Sequence, residues 1–146
     1  IYSKLILRVT FKNKEVLKRY KGYYLFGNHT QMIGDALNPL ILTFPKKNYI
    51  VASTANLGIP ILGKILPFVG ALPIPRKIHE KEALFTAMHT LVQAHSITIY
   101  PEAHLWPYYT GIRPLPISSF KTIHTEDDRH KRRFSFVALS SPKLAI

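Results

Sequence analysis

The chain has no cysteine, so disulfides, thiolate zinc sites and a cysteine nucleophile are all excluded. That absence fits a reducing compartment. Acidic residues are scarce: eight Asp and Glu stand against twenty Lys and Arg, a formal charge of +12. Such a balance favours anionic partners, whether nucleic acid, anionic lipid or phosphorylated substrates. No signal peptide is visible, because the first 21 residues carry seven Lys or Arg and no sustained apolar core. Internal repeats are absent. The seven histidines show no tight ligand spacing, with His89 and His95 six apart on an expected helix, so a metal site is not expected. No recognisable nucleic-acid motif accompanies the charge, and a nucleic-acid partner is not expected either.

The 146 residues, 47% apolar and 19% charged, suffice for one folded domain and are too few for two. The first residue is Ile1, so the chain is expected to be a fragment or to lack its natural start.

Residues 3–20 mix Leu5, Ile6, Val9, Val16 and Leu17 with basic groups at loose helical spacing, which predicts a basic amphipathic helix. The stretch "GYYLFGNH" reads as a short buried strand closed by glycine, and "DALNPLILTF" as a helix. Asp35 is a credible N-cap for that helix, and Pro39 falls near its first turn, where a missing N–H costs least. "NYIVAST" is a second strand.

Residues 57–75, "LGIPILGKILPFVGALPIP", hold a single charge, Lys64, over a length that suits a membrane span. Four prolines and three glycines argue against one, since broken helices leave backbone groups unsatisfied in lipid. A short helix around 60–67 and a strand near 69–74 are expected instead. Part of this segment either dips into a bilayer surface or is ordinary core.

"HEKEALFTAMHTLVQAHS" is the clearest helix, with Leu84, Met88, Leu91 and Val92 on one face. "SITIY" is a strand ending at Pro101-Glu102. The alternation predicts an α/β fold with a mainly parallel central sheet flanked by helices. Sites in such sheets gather at the carboxyl ends of strands, and His29 and Glu102 both fall there. Residues 1–120 are expected to form this single domain. Residues 121–146 form a polar, basic tail in which "FSFVAL" is the one apolar run.

A histidine whose second nitrogen is held by a carboxylate accepts a proton near neutral pH. His29 and Asp35 are six apart, about 240° around a straight helix, so they meet only if His29 sits in the loop and Asp35 at the helix start. Gly34 permits that bend. The residues also allow a plainer assignment, with Asp35 a cap and His29 a turn residue.

Three stretches taken in order resemble the glycerolipid acyltransferases, in particular 1-acylglycerol-3-phosphate acyltransferases. The first is "NHTQMIGD", with five residues between histidine and aspartate where the family has four. The second is "GALPIPR", ending at Arg76. The third is "IYPEAHLWP", where Ala103 and His104 replace the family's glycine and threonine. The resemblance spans about residues 22–116 and implies a glycerol-3-phosphate acyltransferase-like fold.

It further implies that His29, oriented by Asp35, acts as base on a lysophospholipid hydroxyl that attacks acyl-CoA or acyl carrier protein, converting lysophosphatidate to phosphatidate. No cofactor is required. Asn28, Arg76, Glu102, His104 and Arg113 are the substrate-binding candidates, Arg76 and Arg113 for phosphate. Trp106, Tyr108 and Tyr109 suit a membrane interface. The implied location is cytoplasmic, peripheral to the inner face of the membrane. Family members continue with further strands, so the chain is expected to be truncated or altered past Lys121. The alternative is an inactive remnant of the fold that binds anionic lipid.

Overall fold

The computed structural model describes residues 10–31, 33–53, 64, 66–102, 104–107, 109, 111, 114, 116–117 and 138–139. Five strands lie in one sheet: β1 (Tyr23–Gly27), β2 (Asn48–Ser53), β3 (Ala71–Ile74), β4 (Ser96–Ile99) and β5 (Ala138–Leu139). Their spatial order is β3-β2-β4-β1-β5, and every pairing is parallel. Helix α1 (Gly34–Thr43) joins β1 to β2, and α2 (Ile78–Leu91) joins β3 to β4. The expected α/β architecture with a parallel sheet is the one observed. Ala138 and Leu139, the last two residues of "FSFVAL", form β5 at the edge of β1. The expected helix at 60–67 falls almost wholly outside the described residues, as does most of the segment from 118 onward.

Alternation along the strands sorts side chains between two faces. Phe26, Ile97 and Ile99 pack with Met88 of α2, and Leu84, Phe85, Leu91 and Val92 close the same cluster. The face read from the sequence as apolar is therefore the one that covers the sheet. On the opposite face Tyr23 and Leu25 pack with Leu42 of α1 and with Leu17. That second face also buries polar groups: Ser96 Oγ and Thr98 Oγ1 donate to Asn48 Oδ1 at 2.8 and 3.0 Å. These bonds tie β2 to β4 at the amino end of the sheet.

Of the basic helix expected over 3–20, residues 3–9 lie outside the described residues; over 10–20 the winding is tighter than the sequence suggests. Only Lys14–Arg19 is helical among the described residues, and it is a 3-10 helix. Asn13 adopts the left-handed conformation at φ 56°, which a continuous α-helix does not pass through. Leu17 alone of its described residues is buried.

Gly22, just before β1, touches the turn just before β4. A Cβ there would stand 1.5 Å from the Val92 carbonyl oxygen and 2.9 Å from that of His95. Both neighbours are backbone, so the strand entries must separate. Gly22→Ala is expected to cost about 1–3 kcal/mol, the range for overpacking. A lowered denaturation midpoint in urea at unchanged slope checks this; an unchanged midpoint refutes it.

Candidate active site

The chain leaves β1 toward β2 and leaves β4 toward β5, in opposite directions from a neighbouring pair. In open α/β sheets, ligands commonly bind at the carboxyl ends of such a pair. The register Phe26↔Ile99 brings the exits of β1 and β4 side by side. Asn28 and His29 follow one strand; Tyr100, Pro101 and Glu102 follow the other.

His29 is held by its backbone from the β4 side. Its N–H donates to Glu102 Oε2 at 3.2 Å, and its carbonyl accepts the Trp106 N–H at 2.8 Å. Glu102 is 8% exposed, and its Oε1 is buried with no hydrogen-bond partner among the described residues. Asn28 Nδ2 donates to the Gly111 carbonyl at 3.2 Å, which fastens Gly111 to the exit of β1.

The side chains of His29 and Asp35 meet, Nδ1 to Oδ2 at 2.8 Å. The same Oδ2 accepts the N–H groups of Thr30 and Gln31 at 2.8 and 2.9 Å. An oxygen that already accepts two N–H groups is an acceptor toward the ring as well, so Nδ1 carries the hydrogen. Nε2 is then the lone-pair nitrogen, and the His29 side chain stays 22% exposed. A base with an oriented ring in a partly exposed side chain is the chemical content of this arrangement.

The spacing of five residues is absorbed by the turn itself. Asp35 N–H donates to the Gln31 carbonyl at 2.9 Å, so the helical winding starts within the loop. At Gly34 a Cβ would lie 2.1 Å from Gln31 Oε1 and 3.0 Å from its Cβ, so the turn closes best without one. Asp35 is not the N-cap of α1. Ile33 holds that position, and Asp35 lies in the first turn, its carboxylate directed back at the loop rather than at helix N–H groups. Three loop donors outcompete the helix's own because they converge on one oxygen.

One participant was not evident from the sequence. Tyr100 stacks on His29, ring centroids 5.1 Å apart at 29°, and its Oη donates to the Asp35 carbonyl at 2.6 Å. Burial, with the Asp35 charge adding to it, holds the Tyr100 phenol well above the usual tyrosine range, so it remains a donor. The available signal was Pro39. Its missing N–H leaves the carbonyl four residues back, that of Asp35, without its helical partner.

The other candidates are spread out. Arg76 is exposed and follows β3, three strand spacings from β1, about 14 Å across the sheet. His104 is exposed, two residues beyond Glu102. Arg113 and Tyr108 lie outside the described residues. Trp106 and Tyr109 meet edge to face at 6.2 Å and stay half-exposed. Among the described residues no group of three His, Asp or Glu is placed to hold a metal, and no helix is long and apolar enough to cross a membrane. Comparison with protein-family models, with curated proteins and with solved structures returns no match for this chain.

Proposed function

We propose that this protein is an acyltransferase that moves a fatty acyl group from acyl-CoA or acyl carrier protein to the hydroxyl of a lysophospholipid, lysophosphatidate being the leading acceptor. The fold is read accordingly as glycerol-3-phosphate acyltransferase-like. The observation that carries the reading is the His29–Asp35 contact of 2.8 Å at the carboxyl end of β1. It supports a base acting directly on substrate, since cysteine is absent from the chain and no serine lies between the two residues.

In the proposed reaction the acceptor O–H gives its proton to His29 Nε2 while its oxygen attacks the thioester carbon. The positive imidazolium is stabilised by Asp35 Oδ2. The tetrahedral intermediate collapses, the C–S bond breaks, and the leaving thiolate takes the proton back from Nε2. The products are the ester and the free thiol, and no acyl-enzyme forms. Glu102, beside the His29 N–H, is proposed to receive the acceptor's glycerol. Arg76, Arg113 and His104 are proposed for its phosphate, and Asn28 for support of the loop. Exposed Ile33, Trp106 and Tyr109 flank the same end of the sheet, which supports a membrane surface presenting the lipid there.

The test is acyl transfer from radiolabelled acyl-CoA, and separately from acyl carrier protein, to lysophosphatidate in vesicles. Labelled phosphatidate is expected from the wild-type chain and not from His29→Ala. A folded wild-type chain that yields no product with either donor overturns the reading in favour of an inactive, lipid-binding remnant.

A further inference from the structure

We propose that Tyr100 is a positioning residue for the His29–Asp35 pair, its hydroxyl standing in for the backbone donor that Pro39 removes from α1. The proposal rests on the acyl-transfer reading for its kinetic consequence, and on geometry alone for its structural one.

In an α-helix the carbonyl of residue 35 accepts the N–H of residue 39. Proline has none, so the Asp35 carbonyl, in the first turn of α1, lacks its helical donor. The orphan lies in the residue whose side chain orients the candidate base. Tyr100 Oη donates to it at 2.6 Å from the exit of β4, across a separation of 65 residues. The same ring lies against the imidazole, 5.1 Å between centroids and 29° from parallel. One side chain thus fixes two things. The hydroxyl pins the backbone of Asp35 relative to the sheet, and the ring face limits rotation of His29 about its Cβ–Cγ bond. Both act on the 2.8 Å contact between Nδ1 and Oδ2. Phenylalanine at 100 would keep the second effect and lose the first.

Pro39→Ala offers a specific repair. It returns an N–H four residues beyond Asp35, so it supplies the missing donor without restoring a phenol. Tyr100→Phe is expected to lower kcat about three- to tenfold at unchanged KM for the acyl donor, the size of one hydrogen bond. The Tyr100→Phe/Pro39→Ala double variant is expected to recover most of that loss.

A second measurement is independent of activity. The tautomer of His29 is read from long-range proton–nitrogen NMR spectra of the uniformly labelled chain. The wild type is expected to hold Nδ1–H, Tyr100→Phe to show a mixture, and the double variant to return to Nδ1–H. A tautomer that shifts in a chain lacking acyl transfer supports the positioning role and removes the function reading. A Tyr100→Phe chain with wild-type tautomer overturns the proposal, and so does a double variant no better than the single one.

Discussion

Asp35→Asn is expected to lower kcat for the proposed acyl transfer about 10²–10⁴-fold, as His29→Ala is, and the double variant is expected to fall no further. The reasoning starts from the three donors on Oδ2: His29 Nδ1–H, Thr30 N–H and Gln31 N–H. An asparagine whose NH₂ group faced them would set donor against donor. Its carbonyl oxygen therefore takes the place of Oδ2, and the loop keeps its shape. What disappears is the negative charge beside the ring. The imidazolium formed as the substrate proton is taken up loses its counter-charge, and the cost falls on the transition state rather than on the resting protein.

Asp35→Ala separates the two roles. It removes the charge and also leaves the Thr30 and Gln31 N–H groups without their acceptor, in a site where Thr30 is buried. A stability loss of about 1–3 kcal/mol joins the kinetic one. The pattern to look for is Asn slow but near wild-type stability, and Ala slow and less stable. Rates from single-turnover quench, set beside urea denaturation of the same samples, decide it. An Asn variant with wild-type kcat would remove Asp35 from the chemistry.

The site was partly legible because its key step obeys a simple geometric condition. Six positions on one helix point His29 and Asp35 apart, so the pair required a loop followed by a helix start, and the glycine before Asp35 marked the bend. The strand exits were legible too. Apolar "YYLF" is short and bounded by glycines, "SITIY" runs into Pro101, and a parallel sheet places such exits on one edge.

What the sequence hid was the direction of hydrogen bonds. Asp35 has the spacing of a cap, yet its carboxylate serves the loop behind it. Tyr100 reads as the last residue of a strand, and only the sheet order shows it adjoining β1. Arg76 follows its strand at the expected end of the sheet, but strand order, invisible in the sequence, puts two strands between β3 and β1. Over residues 10–20, the described part of the helix expected near the start, continuity breaks for a local reason, since Asn13 turns left-handed where periodicity suggested a helix.

Ile97→Ala is expected to destabilise the fold by about 2–5 kcal/mol, against about 0.5–1.5 for Ile97→Val. Ile97 is fully buried, at 0% exposure, in a strand flanked by β1 and β2 and covered by α2 through Met88. A cavity there cannot collapse easily. Its walls include one hydrogen-bonded strand on either side, whose register fixes Tyr24 and Tyr49 opposite Ile97. The helix above has little freedom to sink, because Val92 N–H is bonded to the Met88 carbonyl and the following turn abuts Gly22. Domains of this size hold only about 5–15 kcal/mol of net stability, so the alanine variant forfeits a large share. The loss should reach the site as well. β4 carries Tyr100 and Glu102 at its exit, and both bond to the His29–Asp35 loop. Thermal unfolding followed by circular dichroism measures the first effect, and the His29 tautomer below the unfolding transition measures the second. A melting temperature within a degree of wild type would mean that the sheet centre is not the core described above.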